Sequence, residues 1–366
     1  MTEKQLKDGR QLHGMNGISD LVKSIEILPE FIVLDTIYAN SEDSPVAGNN
    51  PATLQYEKLA QRFEQVLVHE MQIEHADDVR SLPFTSLFSL AEMILYSMAK
   101  TEAILLQVMH PVYRGNFIPC HSLNVAFISG MVGMGLGLSY RELNELCVAA
   151  LLHDFGMTRI APQHYFHDGI LSNEERAIVE THPMVGYRFF EQLRRDFPWL
   201  LRVILEEHRR ENNIGYPAND GEELHLYSKI VGLCDTFEAL THARQFRKAF
   251  HPADAIKKII AERNVKFARA VLRAMVDTVS IYPIGGLVQL NNKKIALVIE
   301  PIKGSPLRPI IRLVHGGEMQ ERENGDGSGF LDRINLTKET TLYITGLVYD
   351  DLHQLPPKEE TSSAQK

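Results

Sequence analysis

The chain has 366 residues, 44% of them hydrophobic and 23% charged, and a formal net charge of -9. This is ordinary globular composition, long enough for two or three domains, and its negative balance argues against nonspecific binding to nucleic acid polymers. No run of about 18 apolar residues points to membrane insertion. The polar stretch Met1 to Arg10 has no secretory apolar core. Cys120, Cys147 and Cys234 form no disulfide framework. A reduced, cytoplasmic protein with cysteines as core fillers is expected.

Residues 1–30 are weakly patterned, and Phe31 to Leu34 fits a strand or a buried turn. Residues 41–52 read as a loop rich in Ser, Pro, Gly and Asn. A helix is expected over 53–74, with Leu54, Leu59, Phe63, Val66 and Leu67 on its apolar side. Pro83 breaks the chain, and helix resumes from Phe84 to about Met109. Residues 1–100 hold no evident chemistry and suit a sensory, dimerising or partner-binding role.

From 110 to 280 the pattern is almost entirely helical. His121 shares a face with Val125, Ile128 and Val132. Leu143, Leu146, Cys147, Ala150 and Leu151 make an apolar stripe that runs into His153 and Asp154. A carboxylate on a buried face needs a partner, and imidazole beside carboxylate is a usual ligand pair for a divalent metal. Ser172 with Glu175 makes a capping box that opens the next helix, which carries His182. Further helix leads to Glu207-His208, then a turn-forming stretch from Asn212 to Pro217. The helix of residues 226–243 carries Asp235, and Pro252 opens another through about Asn264.

After Asp277 the period changes. Residues 287–290 and 295–299 read as a β-hairpin, and 310–314 and 342–347 as further strands. Glu321 to Gly329 lacks the spacing of a calcium loop and reads as a polar turn. The chain after Leu355 has the composition of a disordered tail.

Metal-competent groups thus fall on five helices within 115 residues: His121, His153 with Asp154, His182, His208 and Asp235. Two divalent ions about 3.5–4 Å apart, with Asp154 between them, would satisfy all of these at once. The ordered set of these residues, with His182-Pro183, Gly215-Tyr216-Pro217 and the string from Glu238 to Lys248, resembles the HD-GYP family over about residues 110–280. The β-rich segment from Tyr282 onward resembles a tail found in some members.

The resemblance implies a mostly α protein: an HD-type helical bundle at 101–280, a mainly helical N-terminal region at 1–100, a small β-rich domain at 281–352 and a disordered tail at 353–366. It implies a bacterial signalling phosphodiesterase that hydrolyses cyclic di-GMP to pGpG or GMP through a hydroxide held by two ions, iron or manganese. The implied ligands are His121, His153, Asp154, His182, Glu207, His208 and Asp235, with His153 and Asp154 also catalytic. Gly215 and Tyr216 would lie beside substrate, and Arg244 and Arg247 would hold its phosphate. A homodimer and a signalling protein partner stay open.

Several positions depart from the family pattern. Glu207 stands where a second adjacent histidine is usual, Met157 where a lysine is usual, and Asn212-Asn213 where Asp-Gly is usual. Phe117 replaces the glutamate that some members place four residues before the first histidine, so a third ion is not expected. These changes leave two readings: an enzyme with altered activity, or a module that binds metal or cyclic dinucleotide and signals to a partner without efficient hydrolysis.

Overall fold

The computed structural model describes residues 51–67, 83–100, 103–110, 113, 115–164, 169–218, 221–243, 247–261, 266–279, 281–302, 304–314 and 333–348. The expectations for residues 31–34, for the turn at 321–329 and for the tail lie outside them.

The first described helix, α1 (Pro51–Gln65), begins two residues before the expected start. Proline at a first helical position loses no hydrogen bond, so Pro51 opens the helix and does not extend the loop. Its buried face is Gln55, Tyr56, Leu59 and Phe63, whereas Leu54 points outward at 41% exposure. Gln55 is drawn inward because its side-chain amide bonds the Ser97 hydroxyl of the next helix. That helix, α2 (Phe84–Lys100), is followed by a short separate α3 (Ile104–Val108) where one continuous helix was expected. A turn at Ala103, whose carbonyl accepts from Leu106 N–H, opens α3.

The central helix is α4 (Phe117–Gly135). Its length and apolarity would allow it to cross a membrane, yet 78% of that span is buried inside the fold. α5 (Tyr140–Leu152) packs along it, opened by a capping box in which Ser139 and Glu142 satisfy each other's backbone N–H. Every residue of the stripe from Leu143 to Leu151 is buried. α6 (Asn173–Val179) starts with the expected Ser172 and Glu175 box. It stops short of His182, which opens a separate helix, α7 (His182–Phe190). Pro183 explains the break, since it has no N–H to give to the Val179 carbonyl.

α8 (Pro198–Glu206), α9 (Leu226–Thr241), α10 (Pro252–Ala261) and α11 (Arg269–Thr278) complete the helical part. Cys120, Cys147 and Cys234 are buried free thiols, as core fillers should be. The chain then forms β1 (Leu287–Leu290), β2 (Ile295–Glu300), β3 (Ile310–Val314), β4 (Arg333–Asn335) and β5 (Ile344–Val348). They make an antiparallel sheet in the order β4-β3-β2-β1-β5. β4 is three residues long and leaves no alternation long enough to read from sequence. Val288, Leu290, Ala296, Val298 and Ile311 turn one face of the sheet into the hydrophobic core shared with the helices.

Candidate metal centre

Two groups of ligand-competent side chains meet at the ends of α5, α7 and α8 and on α4 and α9. Asp154, His182, Glu207 and His208 form one group; His121, His153 and Asp235 form the other. Within each group the potential donor atoms lie within 4.8 Å of one another. Asp154 faces both: its Oδ1 is 3.1 Å from His182 Nε2, and its Oδ2 is 3.5 Å from His121 Nε2 and 3.7 Å from His153 Nε2. His121 Nε2 is also 3.4 Å from Asp235 Oδ1, and His208 Nδ1 is 3.9 Å from Asp235 Oδ2. All seven residues expected as ligands are therefore brought together.

Hydrogen bonds at Nδ1 orient three of the imidazoles, two through local backbone carbonyls and one through a distant carboxylate. His182 Nδ1 donates to the Val179 carbonyl at 2.8 Å, the acceptor that Pro183 cannot serve. His153 Nδ1 donates to the Ala150 carbonyl at 2.7 Å, and His121 Nδ1 to Glu238 Oε2 at 2.6 Å. With Nδ1 committed as donor, a neutral ring presents its Nε2 lone pair to the cluster. Gly156 brings α7 close enough: a Cβ there would lie 2.0 Å from the His182 carbonyl oxygen.

Burial and charge distinguish this cluster from a satisfied polar pair. Glu207 is fully buried, and neither carboxylate oxygen has a hydrogen-bond partner; the same holds for His153 Nε2. Glu207 Oε2 lies 3.7 Å from His153 Nε2, and Oε1 lies 3.5 Å from His182 Nε2. An unpaired buried carboxylate is costly, so three carboxylates among four imidazoles fit a cationic occupant. Burial raises Asp154, but the histidines around it outweigh that and hold it well below the usual carboxylate range. Asp235 is likewise raised by burial but drawn down to about 2, mainly by His121. Burial would lower His182, yet Asp154 and Glu207 lift it to about 10. A cation entering the cluster competes with that proton. The side chains of Asp154, Asp235 and His208 are 13–15% exposed, so the cluster opens to solvent on their side.

The loop after His208 folds back over it. Gly215 sits at φ +117, and a Cβ there would meet the His208 carbonyl oxygen at 2.1 Å, so only glycine fits. Arg209 donates from Nε to the Pro217 carbonyl at 2.9 Å and from Nη2 to the Ala218 carbonyl at 3.3 Å. The Tyr216 ring is thereby set 4.5 Å from the His208 ring and 6.1 Å from that of His182. Burial first, then Asp154 and Glu207, push the Tyr216 phenol up, so it stays a neutral donor beside the carboxylates.

Two arginines were expected to hold phosphate. Arg244 lies outside the described residues. Arg247 donates from Nη1 to the carbonyls of Leu240 and Lys248, and from Nη2 to that of Ala239, at the C-terminal end of α9. Met157 is 7% exposed, and the Phe117 ring stacks parallel on His121 at 5.6 Å. Glu206, beside Glu207, is buried too and accepts from His225 N–H and Ser228 Oγ. Glu238, Asn124 and Arg209 were not singled out from sequence. The available signal was spacing: Glu238 lies three residues after Asp235, and Asn124 three after His121, on shared helix faces.

Residues 99–271 match the family model described as an HD domain, and residues 287–350 match a KOW domain associated with HD domain. Residues 99–271 belong to the HD-domain family. The chain is similar to a cyclic di-GMP phosphodiesterase of Pseudomonas aeruginosa, with 29% identity over 225 residues, 61% of this chain and 54% of that protein. A cyclic di-GMP phosphodiesterase of Borreliella burgdorferi, PdeB, is 25% identical over 56% of this chain and 54% of its own length. The chain thus spans about half the length of the curated relatives it matches. A solved HDG"Y"P protein from Bdellovibrio bacteriovorus shares the fold, with a TM-score of 0.51 and 17% identity over 66% of this chain and 75% of that one.

Proposed function

We propose that the chain is an HD-GYP-type, metal-dependent phosphodiesterase acting on cyclic di-GMP. The observation that carries this reading is the fully buried Glu207 carboxylate, without a hydrogen bond at either oxygen and 3.5–3.7 Å from two imidazole Nε2 atoms. Asp154, His182, Glu207 and His208 would hold one divalent ion; His121, His153 and Asp235, with the second oxygen of Asp154, would hold another. Hard carboxylate oxygens mixed with imidazole suit iron or manganese. The chemistry such ions supply is Lewis-acid polarisation of a phosphodiester and a lowered pKa for water.

The chain's own residues shape the rest. The locked Nδ1 donors keep the Nε2 atoms aimed inward, so little reorganisation accompanies substrate arrival. The neutral Tyr216, its ring held over His208, would donate from its hydroxyl to a phosphate oxygen. The relatives' names, cyclic di-GMP phosphodiesterase in several bacteria, support the same substrate class.

A second reading is a module that binds metal or cyclic dinucleotide and turns it over little. Buried Met157 and the placement of Arg247 on helix carbonyls favour it, because both remove cations that would contact phosphate. Elemental analysis of protein purified without chelator, with cyclic di-GMP turnover assayed in added manganese, separates the two. Metal with turnover that Asp154→Ala abolishes supports the enzyme. Metal or nucleotide binding without turnover supports the module; metal-free protein overturns the enzyme, and metal-free protein that also binds no cyclic di-GMP overturns both.

A further inference from the structure

A buried run of hydrogen bonds leads from helix α1 to His121. The Tyr56 hydroxyl, on α1, donates to Asn124 Oδ1 at 2.7 Å. Asn124 Nδ2 donates to Glu238 Oε1 at 3.1 Å. Glu238 Oε2 accepts from His121 Nδ1 at 2.6 Å and from the Tyr113 hydroxyl at 3.1 Å. Tyr56, Asn124, His121 and Glu238 are 4%, 1%, 1% and 0% exposed.

Each link fixes the next. Accepting from Tyr56 at Oδ1 sets the orientation of the Asn124 amide, so its NH2 faces Glu238. The amide then holds one carboxylate oxygen, leaving the other aimed at His121 Nδ1. Glu238 belongs to neither ligand group; it engages His121 at the nitrogen remote from Asp154 and Asp235. A carboxylate on the far nitrogen fixes the tautomer and raises the basicity of the near one. Three elements, α1, α4 and α9, meet in this run, and Tyr56 lies outside the matched HD domain.

We propose that Glu238 is a positioning residue for His121, and that Tyr56 ties helix α1 to the same ligand through Asn124. This rests on the metal-binding reading above. Movement of α1 would then alter one ion position, that of His121, His153 and Asp235, and leave the other in place.

The test is equilibrium Mn2+ binding to the full chain, followed by electron paramagnetic resonance of the free ion. Wild type is expected to bind one ion at each of the two groups. Glu238→Gln should weaken one of them by about 10–100-fold and leave the other at wild-type affinity. Tyr56→Phe should weaken the same ion by a smaller factor. Ser139→Ala, which weakens the α5 cap far from this run, should bind both ions as wild type does; loss there would mean that any destabilisation moves the readout, and would overturn the assignment. Unchanged binding by Glu238→Gln overturns the positioning role while the phosphodiesterase reading stands. Unchanged binding by Tyr56→Phe overturns the tie to α1, and it decides alone should Glu238→Gln fail to fold. Wild type that binds no Mn2+ overturns this proposal and the metal-binding reading together.

Discussion

His182 Nε2 and His208 Nε2 face each other at 3.1 Å, with Glu207 Oε1 3.5 Å from the first and 3.8 Å from the second. Neither ring can turn away, because His182 Nδ1 is committed to the Val179 carbonyl and Tyr216 covers His208. A divalent cation between these atoms would replace the proton that the carboxylates otherwise pull onto His182. Saturating Mn2+ should therefore raise the thermal midpoint of wild type. At about 100-fold over Kd, each site contributes about 2.7 kcal/mol. Glu207→Gln should lose one site's share of that rise. Calorimetry with and without Mn2+ checks this, and an equal rise in the variant would show that Glu207 is not a ligand.

Gly156 sets the distance between α7 and the segment that carries Asp154. A Cβ there would lie 2.0 Å from the His182 carbonyl oxygen and 2.8 Å from its carbonyl carbon. Both obstacles are backbone atoms, so the helix itself must move. Gly156→Ala should destabilise the fold by roughly 2–3 kcal/mol and lower metal content with it. Urea denaturation beside elemental analysis reads both, and full metal content in a stable variant would contradict the packing argument.

Met157 is buried, so a lysine there brings an ammonium group out of water. Met157→Lys should lose about 1–3 kcal/mol of stability. If the position faces substrate, cyclic di-GMP should restore more of that loss than it adds to wild type, since one charge-assisted bond contributes about 1.5–3 kcal/mol. Ligand-induced thermal shifts at low salt decide; identical shifts would place Met157 away from the phosphate.

His251 joins the helical part to the sheet. Its Nε2 accepts the backbone N–H of Leu347 on β5, an edge strand. Burial lowers the imidazole below its ordinary 6.5; Lys257 pushes the same way and Asp254 opposes. The folded protein then binds fewer protons here than the unfolded chain. Its contribution is full above about pH 6.5 and is lost as pH falls below that value, on the order of 1 kcal/mol per unit of separation. Urea midpoints at about pH 7.5 and about pH 5.5 should differ more for wild type than for His251→Gln, whose amide oxygen accepts at either pH. Equal differences would remove His251 from the account.

The chain's helical core, its hairpin at 287–299 and its capping box at Ser172 were legible in the sequence. They depend on neighbours three or four residues apart or on a turn of a few residues. Pro183 starts a new helix where one helix from Ser172 through His182 was expected, and by withholding its N–H it orients His182. The order of histidines and carboxylates was equally plain, because each sits on a short periodic face.

What only the tertiary structure decided is which of those faces meet. Leu54 turned outward because Gln55 found Ser97 on another helix. Glu207 is buried because the end of α8 closes against the other ligands. Asp154 has one oxygen for each ligand group, and Glu238 reaches His121 across 117 positions of sequence. Periodicity assigns a side chain to a face of its own helix. The distance and direction to a second helix come from side chains that fill the space between them, and that packing has no local signature.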